Sequence, residues 1–178
     1  MNSTGGRKLG GDEGWFEGQI LMDVSMRIRT DDLSGAEIIG LLKAHLDYCR
    51  ASSPPESVHA LDLDGLRAKN VTFWSIWDGP DILGCGALKQ LDPSHGEIKS
   101  MHTKASARGK GVAAAVVRHI ITEGRARGYR RISLETGANA AFAPARALYA
   151  SFGFVPTDPF ADYRPDPNSV FMALDLAG

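Results

Sequence analysis

The strongest constraint on the fold lies between residues 97 and 121, where a strand pattern, a glycine-rich turn and a helix pattern follow one another. The turn reads Arg108-Gly109-Lys110-Gly111-Val112-Ala113, and apolar residues then recur at helical spacing as far as Ile121. Two glycines let the backbone bend sharply and approach a ligand closely. The first amide N–H groups of a helix have no internal partner, and the helix dipole favours negative charge there. This segment therefore predicts an anion-binding site, most often one for phosphate.

Basic residues are concentrated around this turn. Between Lys99 and Arg131 there are nine Lys or Arg residues and one acidic residue, Glu123, whereas the whole chain has a formal net charge of −1. A positive segment in a nearly neutral protein favours an anionic ligand held at one place. We predict ligand contacts for Arg108 and Lys110. For the later arginines, a solvated helix face is the alternative.

The spacing of the turn distinguishes between phosphate-binding motifs. It is not the Gly-x-x-x-x-Gly-Lys-Ser/Thr of a P-loop, and no acidic residue ends a second strand about 20 residues further on, as in a dinucleotide-binding fold. It does match Arg/Gln-x-x-Gly-x-Gly/Ala, with Arg108, Gly111 and Ala113 in the fixed places. This pattern resembles the acetyl-CoA pyrophosphate loop of the GNAT superfamily of N-acetyltransferases.

Hydrophobic periodicity and chain-breaking residues divide the rest of the sequence into elements. We predict strands at 26–30, 71–77, 82–88, 97–103, 131–134, 153–155 and 170–176, and helices from Ser34 to the stop at 52–55, over 57–66, from 112 to Gly128, and after Pro144. Gly84 and Gly86 inside a strand predict a close neighbour. Because strand, helix and strand follow in order, 98–103 and 132–134 are expected to be parallel neighbours.

Two further segments resemble the same superfamily. Glu97-Ile98-Lys99-Ser100-Met101 resembles its fourth strand, and Ala145-x-x-Leu148-Tyr149-x-x-Phe152-Gly153-Phe154 resembles its late helix and following strand. The resemblance covers about residues 26–176. A YsnE-like bacterial subgroup is similar in four short segments, which are 53–57, 96–101, 134–137 and 166–172.

The resemblance implies an α/β (α+β) fold, with a mixed, mostly antiparallel sheet of about seven strands flanked by helices and splayed between strands 4 and 5. It places acetyl-CoA in the resulting cleft. The implied cofactor contacts are Met101, His102 and Thr103 for the pantetheine arm, Arg108, Gly109, Lys110, Gly111, Val112, Ala113 and Ala114 for the pyrophosphate, and Tyr149 near the thiol. Many members carry Asn seven residues before the tyrosine, where this chain has Phe142, and Asn139 is the candidate substitute.

Direct acyl transfer needs a neutral amine, a polarised thioester carbonyl and a proton for the departing thiolate. The resemblance assigns the acid to Tyr149, with a purely structural core tyrosine as the alternative. Glu97 is the candidate base, directly or through water, and its alternative is a solvent-facing carboxylate paired with Lys99. His102 could serve instead if a bulge turns it toward the cleft, and the Met101 amide is the candidate donor to the thioester oxygen.

The predicted acceptor is a primary amine of a small molecule. Its candidate contacts lie on two loops and are His59, Phe160, Asp162 and Tyr163. A non-catalytic acyl-CoA sensor and a protein-directed acetyltransferase are the alternatives. We expect no metal and no nucleic-acid partner, because neither metal-ligand spacing nor a spread of basic and aromatic residues is present. A homodimer is compatible with the sequence.

Length and composition predict a single domain over residues 25–178, preceded by a flexible glycine-rich tail over residues 1–24. No run reaches the roughly 18 apolar residues of a membrane span, and no charged start leads into an apolar core as in a secretory signal. Cys49 and Cys85 lie far apart and are expected to be reduced thiols. Together these features predict a soluble cytoplasmic protein without a membrane partner.

Overall fold

The computed structural model describes residues 26–176, so the predicted tail over residues 1–24 lies outside the described residues. The helices and strands, in chain order, are β1 Met26–Thr30, α1 Ala36–Ser52, α2 Leu63–Leu66, β2 Val71–Asp78, β3 Asp81–Asp92, β4 His95–Thr103, α3 Val112–Ala126, β5 Arg131–Gly137, α4 Ala143–Ser151, β6 Val155–Pro156 and β7 Ser169–Asp175. Short 3₁₀ turns occur at Pro55–Ser57, Ala105–Ala107 and Ala140–Phe142.

The seven strands form a single mixed sheet in the order β1-β2-β3-β4-β5-β7-β6. Every neighbouring pair is antiparallel except β4 and β5, which are parallel and joined through α3. A parallel pair needs a crossover connection, and the strand–turn–helix–strand order supplies one. The predicted mixed, mostly antiparallel sheet flanked by helices is therefore confirmed.

The parallel pair separates partway along its length. Its register runs from His95 opposite Arg131 to Ile98 opposite Leu134 and then stops, although β4 continues to Thr103. On its other side, β4 carries one extra residue against β3, and Ser100 in this bulge has a φ of +51°. A bulge bends its strand and ends regular pairing locally. The predicted splay between strands 4 and 5 is confirmed.

The sheet buries one apolar cluster on each face. Because side chains alternate along a strand, Gly84 and Gly86 of β3 face α3, whereas Cys85 and Ala87 join the cluster beneath α1. A Cβ at Gly86 would lie 2.6 Å from Val116 Cγ1 of α3. The predicted close neighbour of these glycines is thus α3, which needs their missing side chains to approach the sheet.

Several element boundaries differ from the prediction, since β3 runs to Asp92 and β5 to Gly137, beyond the expected ends at 88 and 134. The helix expected over 57–66 is split into the 3₁₀ turn at Pro55–Ser57 and the single turn of α2. A new helix start explains the split, because the Asp62 carboxylate accepts a hydrogen bond from the Gly65 amide at 2.8 Å as an N-cap. The strand expected at 153–155 is only Val155–Pro156.

Candidate active site

A cleft of about 520 Å³ opens where β4 and β5 separate. Its walls are Ile98–Thr103 of β4 and Glu135–Gly137 of β5, with the turn before α3 at one end. Residues of α1 and α4 complete the lining. The cleft therefore follows from the splay, since the space between the diverging strands is not filled by a pairing partner.

The turn before α3 has the backbone conformation that an anion cradle needs. Gly109 and Gly111 have φ values of +76° and +79°, in the left-handed region that favours glycine. A Cβ at either position would meet no atom within 4 Å, so the space above the turn is open. Gly111 is the N-cap residue of α3, and the first helical bond runs from the Ala115 amide to the Gly111 carbonyl at 2.9 Å. The preceding amides have no partner within the helix.

Most of the predicted cofactor contacts line the cleft. They are Met101, His102, Thr103, Arg108, Gly109, Gly111, Val112, Ala113, Ala114 and Tyr149. The Arg108 guanidinium lies over the ring of Tyr48, 5.9 Å from its centroid, which holds a positive charge at the end of the cleft. Lys110 is exposed and does not line the cleft, so the structure does not place it with the others.

The structure corrects the expectation for Asn139. Its side-chain oxygen accepts a hydrogen bond from the Ala141 amide at 2.9 Å, and its side-chain amide donates to the Ser52 carbonyl. Asn139 does not line the cleft, whereas Phe142 does. The Phe142 ring packs so closely on Gly137 that a Cβ there would lie 2.1 Å from it. Asn139 thus caps a turn and does not replace the missing asparagine.

Tyr149 lies inside the cleft and is only 6% exposed. Its hydroxyl makes no hydrogen bond to another residue within 26–176. Burial raises the pKa of Tyr149 well above its ordinary value, and the nearby Glu135 carboxylate raises that pKa further. At neutral pH the phenol is therefore protonated and able to donate.

The candidate base Glu97 does not line the cleft, and it is not the solvent-facing carboxylate of the alternative interpretation either. The side chain is 2% exposed, and its Oε1 accepts hydrogen bonds from Lys99 Nζ at 3.2 Å and from the Tyr163 hydroxyl at 2.6 Å. Glu97 belongs to the paired part of β4, opposite Ser133, before the strands separate. It therefore lines a second cavity rather than the cleft. The pairing with Lys99 is present, but it is buried.

Glu135 is a site residue that the sequence analysis did not single out. It follows Leu134, the last residue of β5 that pairs with β4, and lines the cleft. The Ser169 hydroxyl donates to its Oε1 at 2.7 Å. Burial raises the pKa of Glu135, and this effect outweighs the lowering caused by the Ser169 hydrogen bond. The sequence feature that could have identified Glu135 was a charged residue directly after the strand predicted over 131–134.

Two histidines face each other across the cleft. The rings of His45 and His102 lie 5.2 Å apart between centroids, and both residues line the cleft. Burial, followed by the charges of His102 and Lys99, lowers the pKa of His45 to about 4. Burial also lowers the pKa of His102. Both rings are consequently neutral at pH 7. The bulge of β4 does turn His102 toward the cleft.

The predicted acceptor residues surround the second cavity, which has a volume of about 740 Å³. Asp162 and Tyr163 line it, and His59 lines both this cavity and the cleft. Phe160 lines neither, but its ring packs against Tyr163 at 5.1 Å between centroids. The two cavities therefore share the wall formed by Ser57, His59 and Lys99, whereas Phe160 packs behind the Tyr163 side of the second cavity.

The chemistry of the cleft fits an acyl-CoA thioester. The glycine turn offers free amides and open space for phosphate groups. Beyond Ile98, the edge of β4 that faces β5 is unpaired and can bind an extended amide-containing chain. Ser100 Oγ, in a residue 7% exposed that lines the cleft, has no hydrogen-bond partner within 26–176. Within residues 26–176, these are hydrogen-bonding groups without a protein partner.

Within residues 26–176, no helix is both long enough and apolar enough to span a bilayer. No three His, Cys, Asp or Glu side chains in the same range are grouped in a way that could hold a metal ion.

A mixed sheet splayed at its parallel pair, with a glycine turn before a helix and a buried tyrosine in the cleft, is the arrangement expected of an acyltransferase. The family described as "Acetyltransferase (GNAT) family" matches residues 38–154, and the chain belongs to this family. The resemblance found in the loop and late-helix motifs is thereby confirmed.

Individual relatives agree with this family. An uncharacterized N-acetyltransferase, YsnE of Bacillus subtilis (strain 168), is 57% identical over 151 residues, which cover 85% of this chain and 100% of YsnE. A second, YedL of Escherichia coli (strain K12), is 47% identical over 149 residues, covering 84% and 94%. A Bacillus subtilis acetyltransferase crystallised in complex with CoA has the same fold, with a TM-score of 0.64 at 21% identity over 85% of this chain and 99% of that one.

Proposed function

We propose that this enzyme transfers an acetyl group from acetyl-CoA to the primary amine of a small molecule, by direct attack within a ternary complex. The observation that carries the proposal is the position of the cleft, which joins the anion-binding turn at one end to the buried Tyr149 and Glu135. Direct attack is favoured because the thiol nearest the cleft, Cys49, has a pKa raised to about 11 by burial and is a poor nucleophile.

Acetyl-CoA supplies an activated acyl group together with a pyrophosphate and an amide-containing arm. The amides at the start of α3 and the Arg108 guanidinium would hold the pyrophosphate, since both favour negative charge. The unpaired edge of β4 from Lys99 to Thr103 would hold the arm as an added strand. The Met101 amide and Ser100 Oγ are candidate donors to the thioester oxygen.

Glu135 is better placed than Glu97 to take the proton of the acceptor amine. It lies in the cleft, whereas Glu97 Oε1 is occupied by two hydrogen bonds outside it. The raised pKa of Glu135 makes it a stronger base than an ordinary carboxylate. Tyr149 would donate a proton to the departing thiolate, because its own raised pKa keeps it protonated.

The acceptor would enter through the second cavity, with His59, Asp162 and Tyr163 as contacts. Two features support this route: the cavity meets the cleft at Ser57, His59 and Lys99, and its volume suits a small molecule. The end of the cleft that would hold the pyrophosphate and the entrance for the acceptor would then be separate.

Calorimetric titration with acetyl-CoA, and separately with NADH and ATP, tests the cofactor. We expect micromolar or tighter binding of acetyl-CoA alone. Release of free thiol from acetyl-CoA is then followed with spermidine, tyramine, L-lysine and glycinamide. Release with one of these amines supports the proposal, whereas failure of the protein to bind acetyl-CoA would contradict it. Binding without turnover for any amine would favour a sensor or a protein-directed enzyme.

The variant Glu135→Gln tests the base. We expect kcat/KM to fall about 100-fold and the acidic limb of its pH profile to disappear, because the amide cannot accept the proton. In the wild type that limb should lie at higher pH than an ordinary glutamate gives. A Glu135→Gln enzyme with an unchanged pH profile would remove Glu135 from the reaction.

A further inference from the structure

Glu97, Lys99 and Tyr163 form a buried hydrogen-bonded triad beside the second cavity. The Lys99 ammonium donates to the Tyr163 hydroxyl at 2.7 Å, to the His59 carbonyl oxygen at 3.0 Å and to Glu97 Oε1 at 3.2 Å. The Tyr163 hydroxyl donates in turn to Glu97 Oε1 at 2.6 Å. All three ammonium protons therefore have an acceptor. Lys99 is 8% exposed and Glu97 2%.

The triad connects β4 to two loops that are far apart in sequence. His59 belongs to the early loop (residues 53–62), and Tyr163 belongs to the late loop (residues 157–168). The rings of His59 and Tyr163 pack edge to face with centroids 5.1 Å apart. A second link joins the loops directly, from the Asn168 side-chain amide to Ser57 Oγ at 3.3 Å. Both loops contribute walls to the second cavity.

Lys99 places the triad at the boundary between the cleft and the second cavity. Lys99 follows Ile98, the last residue of β4 that pairs with β5, so it stands where the cleft begins. It lines both the cleft and the second cavity. Any movement of Lys99 would displace the two loops and the shared wall together.

Stability alone does not account for this arrangement. A buried ion pair seldom stabilises a fold more than well-packed apolar side chains would, because both charges lose their hydration. Charge-assisted hydrogen bonds are instead strongly directional, and a fully satisfied network admits one arrangement of its partners. In this network the partners belong to a strand and to both loops around one cavity.

We propose that the triad is a positioning unit for the acceptor: it holds the early and late loops at a set distance, so that the second cavity is already formed when the acceptor arrives. The proposal rests on the proposed function, because it takes the second cavity as the acceptor site. It assigns Glu97 a role in acceptor binding through Tyr163 and Lys99, without proton transfer to or from the substrate.

The variant Tyr163→Phe tests the proposal, since it keeps the ring and removes only the hydroxyl. With the most active amine of the panel above, we expect KM for the amine to rise about tenfold, because two hydrogen bonds to charged groups are lost. We expect kcat to stay within about twofold and the acetyl-CoA Kd to stay unchanged. Tyr129→Phe, the same change at a buried tyrosine outside both cavities, should alter none of these values.

Hydrogen exchange gives a second readout that needs no acceptor, and it separates positioning of the loops by the triad from loss of a direct contact between the Tyr163 hydroxyl and the amine. In Tyr163→Phe, the backbone amides of both loops should exchange faster, while those of α3 keep their protection. If Tyr163→Phe does not fold, the double variant Glu97→Gln/Lys99→Met removes both buried charges together and should give the same results.

Three outcomes would overturn the proposal. Loss of kcat with an unchanged KM in Glu97→Gln would make Glu97 a proton-transfer group. Unchanged KM in Tyr163→Phe, in an enzyme whose wild type is active, would remove the triad from acceptor binding. Unchanged loop exchange would show that the loops are held by other contacts. Failure of the wild type to bind acetyl-CoA would instead refute the proposed function, and the exchange experiment would still report on the triad.

Discussion

Replacing Gly111 separates two properties of the turn before α3, which are its observed backbone conformation and its proposed preference for negative charge. A residue with a Cβ at φ +79° is strained by about 1–2 kcal/mol. No atom lies within 4 Å of the position that the Cβ would take, so no steric clash is added inside the protein. For a chain of this size, that strain lowers Tm by roughly 2–8 °C.

The variants Gly111→Glu and Gly111→Gln share this strain and have side chains of nearly equal size, so they differ only in charge. Two like charges about 6 Å apart at an effective dielectric constant of about 40 repel by about 1.4 kcal/mol, which is a tenfold effect. We therefore expect equal losses of Tm, and an acetyl-CoA affinity at least tenfold weaker for the Glu variant than for the Gln variant.

Differential scanning fluorimetry and calorimetric titration with acetyl-CoA measure these two quantities. The gap between the variants should narrow at high salt, because screening weakens exposed charges. Equal acetyl-CoA affinities for Gly111→Glu and Gly111→Gln at low salt would refute the reasoning that this turn binds an anionic group.

Three other perturbations have defined outcomes. Tyr149→Phe should keep the acetyl-CoA Kd and lower kcat about 100-fold if the phenol is the acid, and unchanged turnover across pH would contradict this role. Gly84→Ala places a Cβ 2.7 Å from the His102 carbonyl oxygen and should lose about 1–3 kcal/mol in urea unfolding, whereas Gly40→Ala, with open space in α1, should not destabilise the protein. The pKa of His45 is lowered to about 4 in the native protein, so between pH 6.5 and about 4 the unfolded chain binds a proton that the native protein does not. The free energy of unfolding should therefore fall as pH falls, by about 2 kcal/mol at pH 5. His45→Gln should remove this pH dependence of stability, and an equal pH dependence in both proteins would refute the assignment.

Local patterns in the sequence were sufficient to predict the turn before α3 and the order of strand, helix and strand around it. The Arg108–Ala113 motif is read from contiguous residues, and glycine at positive φ is a local requirement. The apolar stripe of α3 and the tight approach at Gly86 likewise follow from periodicity and from a missing side chain. These features depend on neighbours along the chain, which is why the sequence predicts them.

Only the tertiary structure decided where the two acidic residues lie relative to the cleft. Glu97 and Glu135 both lie on strands that meet at the splay, and nothing local shows which of them precedes the point of separation. The register of β4 with β5 places Glu97 before that point, where it is buried with Lys99, and Glu135 after it, where it faces the cleft. A shift of one residue in register would reverse the facing of each side chain.

The sequence by itself determined the family, the fold and the glycine turn before α3, because each depends on short segments with their own conformational preferences. Tertiary structure alone decided that Asn139 lies outside the cleft, that Glu97 is buried rather than solvent-facing, and that the early and late loops share one buried lysine. The contacts of Lys99 with the two loops join residues 40 or more positions apart, as between Lys99 and His59 or between Lys99 and Tyr163. Such pairs form only when the sheet has brought their strands and loops together, and no local pattern in the sequence records them.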